Sequence, residues 1–110
     1  DRGGTPTLTL DARALAALAW IHATGPDADL IDGGEALALA ERAKPLMKDT
    51  PFFFDAYAAA LARSRRFDEA VRAGRRAVSL LERAGQTDYA ARVKERVKLY
   101  EQGKPYTASK

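Results

Sequence analysis

The sequence predicts an all-α fold, and three observations lead there. Alanine makes up about a fifth of the 110 residues, far above ordinary usage, and it is the best helix former. Apolar and small residues recur at spacings of three and four: Phe67, Ala70, Val71, Gly74, Ala77 and Val78 fall on one stripe, while Arg72, Arg75, Arg76 and Ser79 fall off it. Glycine and proline stand where helices should stop or start, at Gly25-Pro26, Pro51, Gly85 and Gly103.

Taken in order, residues 1–10 (DRGGTPTLTL) read as a linker or N-terminal arm, rich in glycine and threonine. Asp11 is the expected N-cap of a first helix from Ala12 to about Thr24, with Leu15, Leu18, Ala19 and His22 on its stripe and Trp20 off it. The loop GPDADLID follows. Asp32, with Glu35 three residues on, forms a capping-box pattern for a second helix. That helix packs through Ala36, Leu39, Ala40 and Ala43, runs to about Met47, and should end or bend near Ala43 or Lys44 ahead of Pro45. Asp49 or Thr50 caps a third helix with Pro51 in its first turn and Phe54, Tyr57, Ala58 and Leu61 on its stripe. A tight turn at Ser64-Arg65-Arg66 leads to the fourth helix, which lasts to about Arg83. A fifth, capped by Thr87 or Asp88, runs to about Gln102 with Tyr89, Val93, Val97 and Tyr100 inward. Residues 103–110 form a tail in which Tyr106 is the one residue expected to fold back, the rest being loose. The helical domain is therefore expected over residues 11–102.

Composition narrows the chemistry. A chain without cysteine holds neither disulfides nor thiolate metal sites and leaves the redox compartment open. The formal charge of +3 is too small to imply nucleic acid by itself. No apolar run approaches the ~18 residues of a membrane span, and no signal peptide is visible. The first residue is Asp1 rather than methionine, so the chain is expected to be a fragment or a processed product. The sequence assigns no compartment.

The chain also repeats. LAWIHA (Leu18 to Ala23) aligns with YAAALA (Tyr57 to Ala62), and EALALAERA (Glu35 to Ala43) with EAVRAGRRA (Glu69 to Ala77). A lone helical hairpin cannot bury its apolar face, so such units stack. In the second unit, Pro51 to about Arg83, Phe54, Tyr57, Ala58 and Leu61 are followed by Phe67, Ala70 and Ala77 over a length close to about 34 residues. On these residues the chain resembles the tetratricopeptide repeat (TPR) family. Gly74 replaces the family's usual aromatic and the terminal proline is absent. The first unit matches at Leu15, Leu18, Ala19, Ala36 and Ala43, with His22 at a usual large apolar position and a loop about five residues too long. The closing helix and its GKPY tail resemble the terminal segment of some bacterial proteins of this class. The resemblance implies two helical hairpins plus a capping helix in a right-handed superhelix.

Catalysis finds little support in the residues. His22 is the only histidine and is expected as a packed, hydrogen-bonded core residue. Ser64, Ser79 and Ser109 fall in a turn, on a polar helix face and in the tail, and Gly33-Gly34 lacks the spacing and preceding strand of a phosphate loop. Asp27, Asp29, Asp32 and Glu35 do not have calcium-loop spacing. No cofactor and no metal site is expected. The arginines Arg72, Arg76 and Arg83 share a face, read as solvated and balanced by Asp68, Glu69 and Glu82; no aromatics interleave to stack nucleic acid bases.

The resemblance implies a function in protein–protein interaction. The first helix of each hairpin would line a concave groove, showing Arg13, Ala16, Ala17, Trp20, Ala23 and Thr24 from the first unit and Phe52, Asp55, Ala56, Ala59 and Arg63 from the second. A partner peptide or helix would lie on this alanine floor between two aromatics, with Arg13, Asp55 and Arg63 setting register. The carboxylate clamp of lysine and asparagine that some members use is missing. Two other readings remain open: a structural terminal cap of a longer repeat array or a homodimer, its groove filled by its own chain, and a basic adaptor for RNA or an acidic surface.

Overall fold

The computed structural model describes residues 11–25 and 33–108. Its helices are α1 (Ala12–Thr24), α2 (Gly33–Ala43), α3 (Pro51–Arg63), α4 (Phe67–Arg83) and α5 (Thr87–Glu101), and no strand occurs among the described residues. The chain is all-α, as its composition and spacing predict. The expected arm, the Asp32 cap and the acidic loop at Asp27 and Asp29 lie outside the described residues.

The ends of the helices follow from local chemistry. Asp11 caps α1, its Oδ1 accepting from the Ala14 N–H at 2.8 Å. Helix α2 stops at Ala43, and Lys44–Leu46 tighten into a single 3-10 turn around Pro45, so the α-helix does not reach Met47. Thr50 stands at the N-cap of α3 but its hydroxyl makes no capping bond; Pro51, which has no N–H to satisfy, starts the helix instead. At α5 the cap position belongs to Gln86, and Thr87 is already helical.

Three helices end in the same turn. Arg66 N–H reaches Leu61 O and Arg65 N–H reaches Ala62 O after α3; Gln86 and Gly85 repeat the pattern after α4, and Lys104 and Gly103 after α5. This double bond to the last carbonyls requires a left-handed residue between helix and exit. Gly85 and Gly103 supply it at φ 76° and 72°; after α3 it falls on Arg65, at φ 67°.

Helix α3 is the centre of the packing. It lies against α1, α2 and α4, and α4 lies against α5. Phe53, Asp55, Ala56, Tyr57, Ala58, Ala59, Ala60, Leu61 and Ala62 are all buried on it. A helix apolar on every side can only be stable when covered on every side. The small residues set the closeness of approach: a Cβ on Gly74 of α4 would lie 2.5 Å from Val97 Cγ2 of α5 and 3.9 Å from Ala58 Cβ of α3.

Candidate functional site

The expected groove residues lie on α1 and α3, and most of their small members, together with the acid, are inside. Ala16 is 0% exposed, Thr24 1%, Asp55 2% and Ala59 1%. Trp20, Phe52 and Arg63 are half-buried, and only Arg13 is exposed. Alanine fits an open floor and a core equally well, and the covering of α3 by α1, α2 and α4 decides for the core. Ala16, Thr24, Asp55 and Ala59 thus offer no contact surface as the chain is folded.

Asp55 is the one acid in the apolar run of α3, and it is held in an ionic knot. Arg96 of α5 donates to it twice, Nε to Oδ1 at 3.2 Å and Nη2 to Oδ2 at 2.7 Å. The Tyr89 hydroxyl donates to Oδ2 at 2.9 Å. Burial pushes the Asp55 carboxyl above its ordinary value, against the opposing pull of Arg96 and Tyr89. The same burial, reinforced by the neighbouring carboxylate, holds the Tyr89 phenol well above the usual range. Breaking one side of so buried a pair leaves an uncompensated charge and costs about 3–5 kcal/mol.

Above the knot is a stack. The Arg96 guanidinium carbon lies 4.9 Å from the centre of the Trp20 ring and 5.2 Å from that of Tyr106. The two rings are 5.9 Å apart and tilted 32° to one another. Trp20 comes from α1, Arg96 from α5, and Tyr106 from the tail. The positive charge is matched by Asp55 on one side and by two π faces on the others.

Thr107 and Ala108 are therefore docked along with Tyr106, where only Tyr106 is expected to fold back. Gly103 turns the chain back at the end of α5, and Pro105 keeps it from continuing as helix. Lys104–Ala108 then cross the ends of α3 and α1. Arg63 of α3 donates through Nη2 to the Tyr106 carbonyl at 3.2 Å and to Thr107 Oγ1 at 2.8 Å. The last carbonyls of α1 have no partner within the helix; Arg63 Nε takes that of Ala23 at 2.9 Å, and the Ala108 N–H takes that of Thr24 at 2.6 Å. The Thr24 hydroxyl turns inward to the Trp20 carbonyl at 2.7 Å.

Elsewhere the chemistry is sparse. His22 is half-buried, and its Nδ1 has no hydrogen-bond partner among the described residues, so the expected bonded core histidine is only half realised. No helix among the described residues is long and apolar enough to cross a membrane. No group of three or more His, Asp or Glu side chains among them is placed to hold a metal ion. On α4, Arg72, Arg76 and Arg83 are exposed, and Arg76 pairs with Asp49 at 2.9 Å while lying over the Phe54 ring. Glu69 pairs with Arg66 and Glu82 with Lys94 rather than with that face.

Arg96, Tyr89 and Tyr106 are the residues of this site that the groove expectation omits. A lone acid at position 55 of an apolar helix, and an arginine one position before Val97 on the buried stripe of α5, were the available signals. Compared with models of known families, with curated proteins and with solved structures, the chain matches none.

Proposed function

We propose that this domain is a protein–protein interaction module of the tetratricopeptide type, whose α1–α3–α5 face receives an extended segment of a partner. One observation carries the reading: Lys104–Ala108 lie across this face as a bound peptide would, with the Tyr106 carbonyl and Thr107 hydroxyl met by Arg63, the Ala108 N–H by the Thr24 carbonyl, and the Tyr106 ring by Trp20 and Arg96. Further support comes from the turn shared by the ends of α3 and α4, after which α4 packs back on α3 and α5 packs back on α4. Repeats that stack in this way set equivalent helices side by side. Main-chain recognition supplies affinity in such a face, and the aromatic pocket supplies selectivity.

The test is selection of binders from a random peptide library against the chain carrying Tyr106→Ala, which removes the aromatic ring that already fills the face. The expected peptides compete with one another, lose binding on Trp20→Ala, and keep it on Arg83→Ala. Peptides that depend on Arg83 instead would move the function to the basic face of α4, and a library that yields no binder would remove the proposal.

A further inference from the structure

The docked tail covers the site without belonging to the core. Tyr106 is only partly buried and rests on the outside of the central cluster, while Lys104 and Thr107 are exposed. Among the described residues, the buried core side chains come from the five helices and Met47, and none from the tail. Lifting the tail would therefore open the Trp20–Arg96 stack and the Thr24 carbonyl while leaving the helical core closed. An open cleft of about 340 Å³ lined by Arg92, Glu95, Arg96, Leu99 and Tyr106 already gives access beside the ring.

We infer that Lys104–Ala108 is a displaceable internal ligand, and that the site beneath it takes an extended segment of another protein that carries an aromatic residue followed by a hydroxyl residue. This rests on the interaction-module reading and adds its ligand chemistry and its regulation. Each contact specifies a feature of the incomer. The aromatic is needed to complete the stack on Arg96 and Trp20. Arg63 reads the aromatic residue's own carbonyl and a hydroxyl one residue on. The Thr24 carbonyl demands a free main-chain N–H two residues after the aromatic. Because Asp55 already matches Arg96, the face favours a neutral aromatic segment over an acidic one. A tethered tail competes at an effective concentration on the order of millimolar, so the intact chain is held closed against weak ligands.

The test uses the full chain, wild type and Tyr106→Ala, titrated with a fluorescently labelled peptide of sequence KPYTASK. Helicity and light-scattering mass are measured in parallel, and Trp20, the only tryptophan, reports on the site. The expected result is a monomeric, helical Tyr106→Ala chain that binds the peptide at least tenfold tighter than wild type does, with a change in Trp20 emission. A peptide with alanine in place of tyrosine should bind neither chain. Equal binding to both chains, or to neither, overturns the latch. So does a Tyr106→Ala chain that loses its helices, which would make the tail part of the core. A wild-type dimer that Tyr106→Ala returns to monomer would place the tail on a second copy and also overturn it. Library-selected peptides that bind both chains equally would remove the latch but leave the interaction module standing.

Discussion

Arg65 carries the clearest local conflict in the chain. It occupies a left-handed position, φ 67°, that the equivalent turns give to Gly85 and Gly103. Such a conformation costs an L residue about 1–2 kcal/mol, and glycine gives back part of that through its larger unfolded-state entropy. Arg65 is exposed, so its side chain has little packing to lose. Arg65→Gly is expected to stabilise the domain by about 0.5–1 kcal/mol, seen as a higher urea midpoint at unchanged slope; a lower midpoint would mean that the arginine makes a contact outweighing its strain. Single residues also mark what was legible. Gly85, Gly103, Pro45 and Asp11 act locally, and the sequence alone locates the helix ends they fix. Arg63 and Thr107 are 44 positions apart, and no local pattern couples them, so the docking of the tail past Tyr106 was not legible.

Between elements, the tightest approach is that of α4 to α5 at Gly74. Alanine there would gain about 1 kcal/mol of helix propensity, but its Cβ would sit 2.5 Å from Val97 Cγ2. A β-branched side chain packed on a helix has little freedom to move aside, and overpacking costs about 1–3 kcal/mol. Gly74→Ala is therefore expected to destabilise by about 1 kcal/mol net. Combined with Val97→Ala, it should be more stable than the sum of the single changes, since the second change removes the clashing methyl. Strict additivity would show that the helices do not touch there. The stripe of α4 told that a neighbour comes close; it did not tell that the neighbour is α5 as well as α3. The alanines of α1 and α3 are ambiguous for the related reason that alanine packs on any side, so the sequence does not separate an open floor from a core at Ala16 and Ala59.

At the scale of the molecule, three of the four tyrosines tie the fold to alkaline pH. Burial raises Tyr57, Tyr89 and Tyr100 above the ordinary value of 10.0, with Glu41 adding to the effect at Tyr57 and Asp55 at Tyr89 and Tyr100. A group raised on folding contributes stability that is fully present below its unfolded value and is lost as pH rises through the folded one. Stability should thus be flat in these groups through neutral pH and fall above pH 10. Absorbance titration should show these three phenolates appearing together with the loss of helical circular dichroism. Ionisation of all four tyrosines near pH 10 with the helices intact would contradict this packing. The same packing brings α1, α5 and the tail onto one guanidinium. The most direct check on that convergence is acrylamide quenching of Trp20 in the intact chain and in Tyr106→Ala. Protected emission in the intact chain that becomes open to quencher in the variant is the expected result; full accessibility in both would contradict a face closed by its own tail.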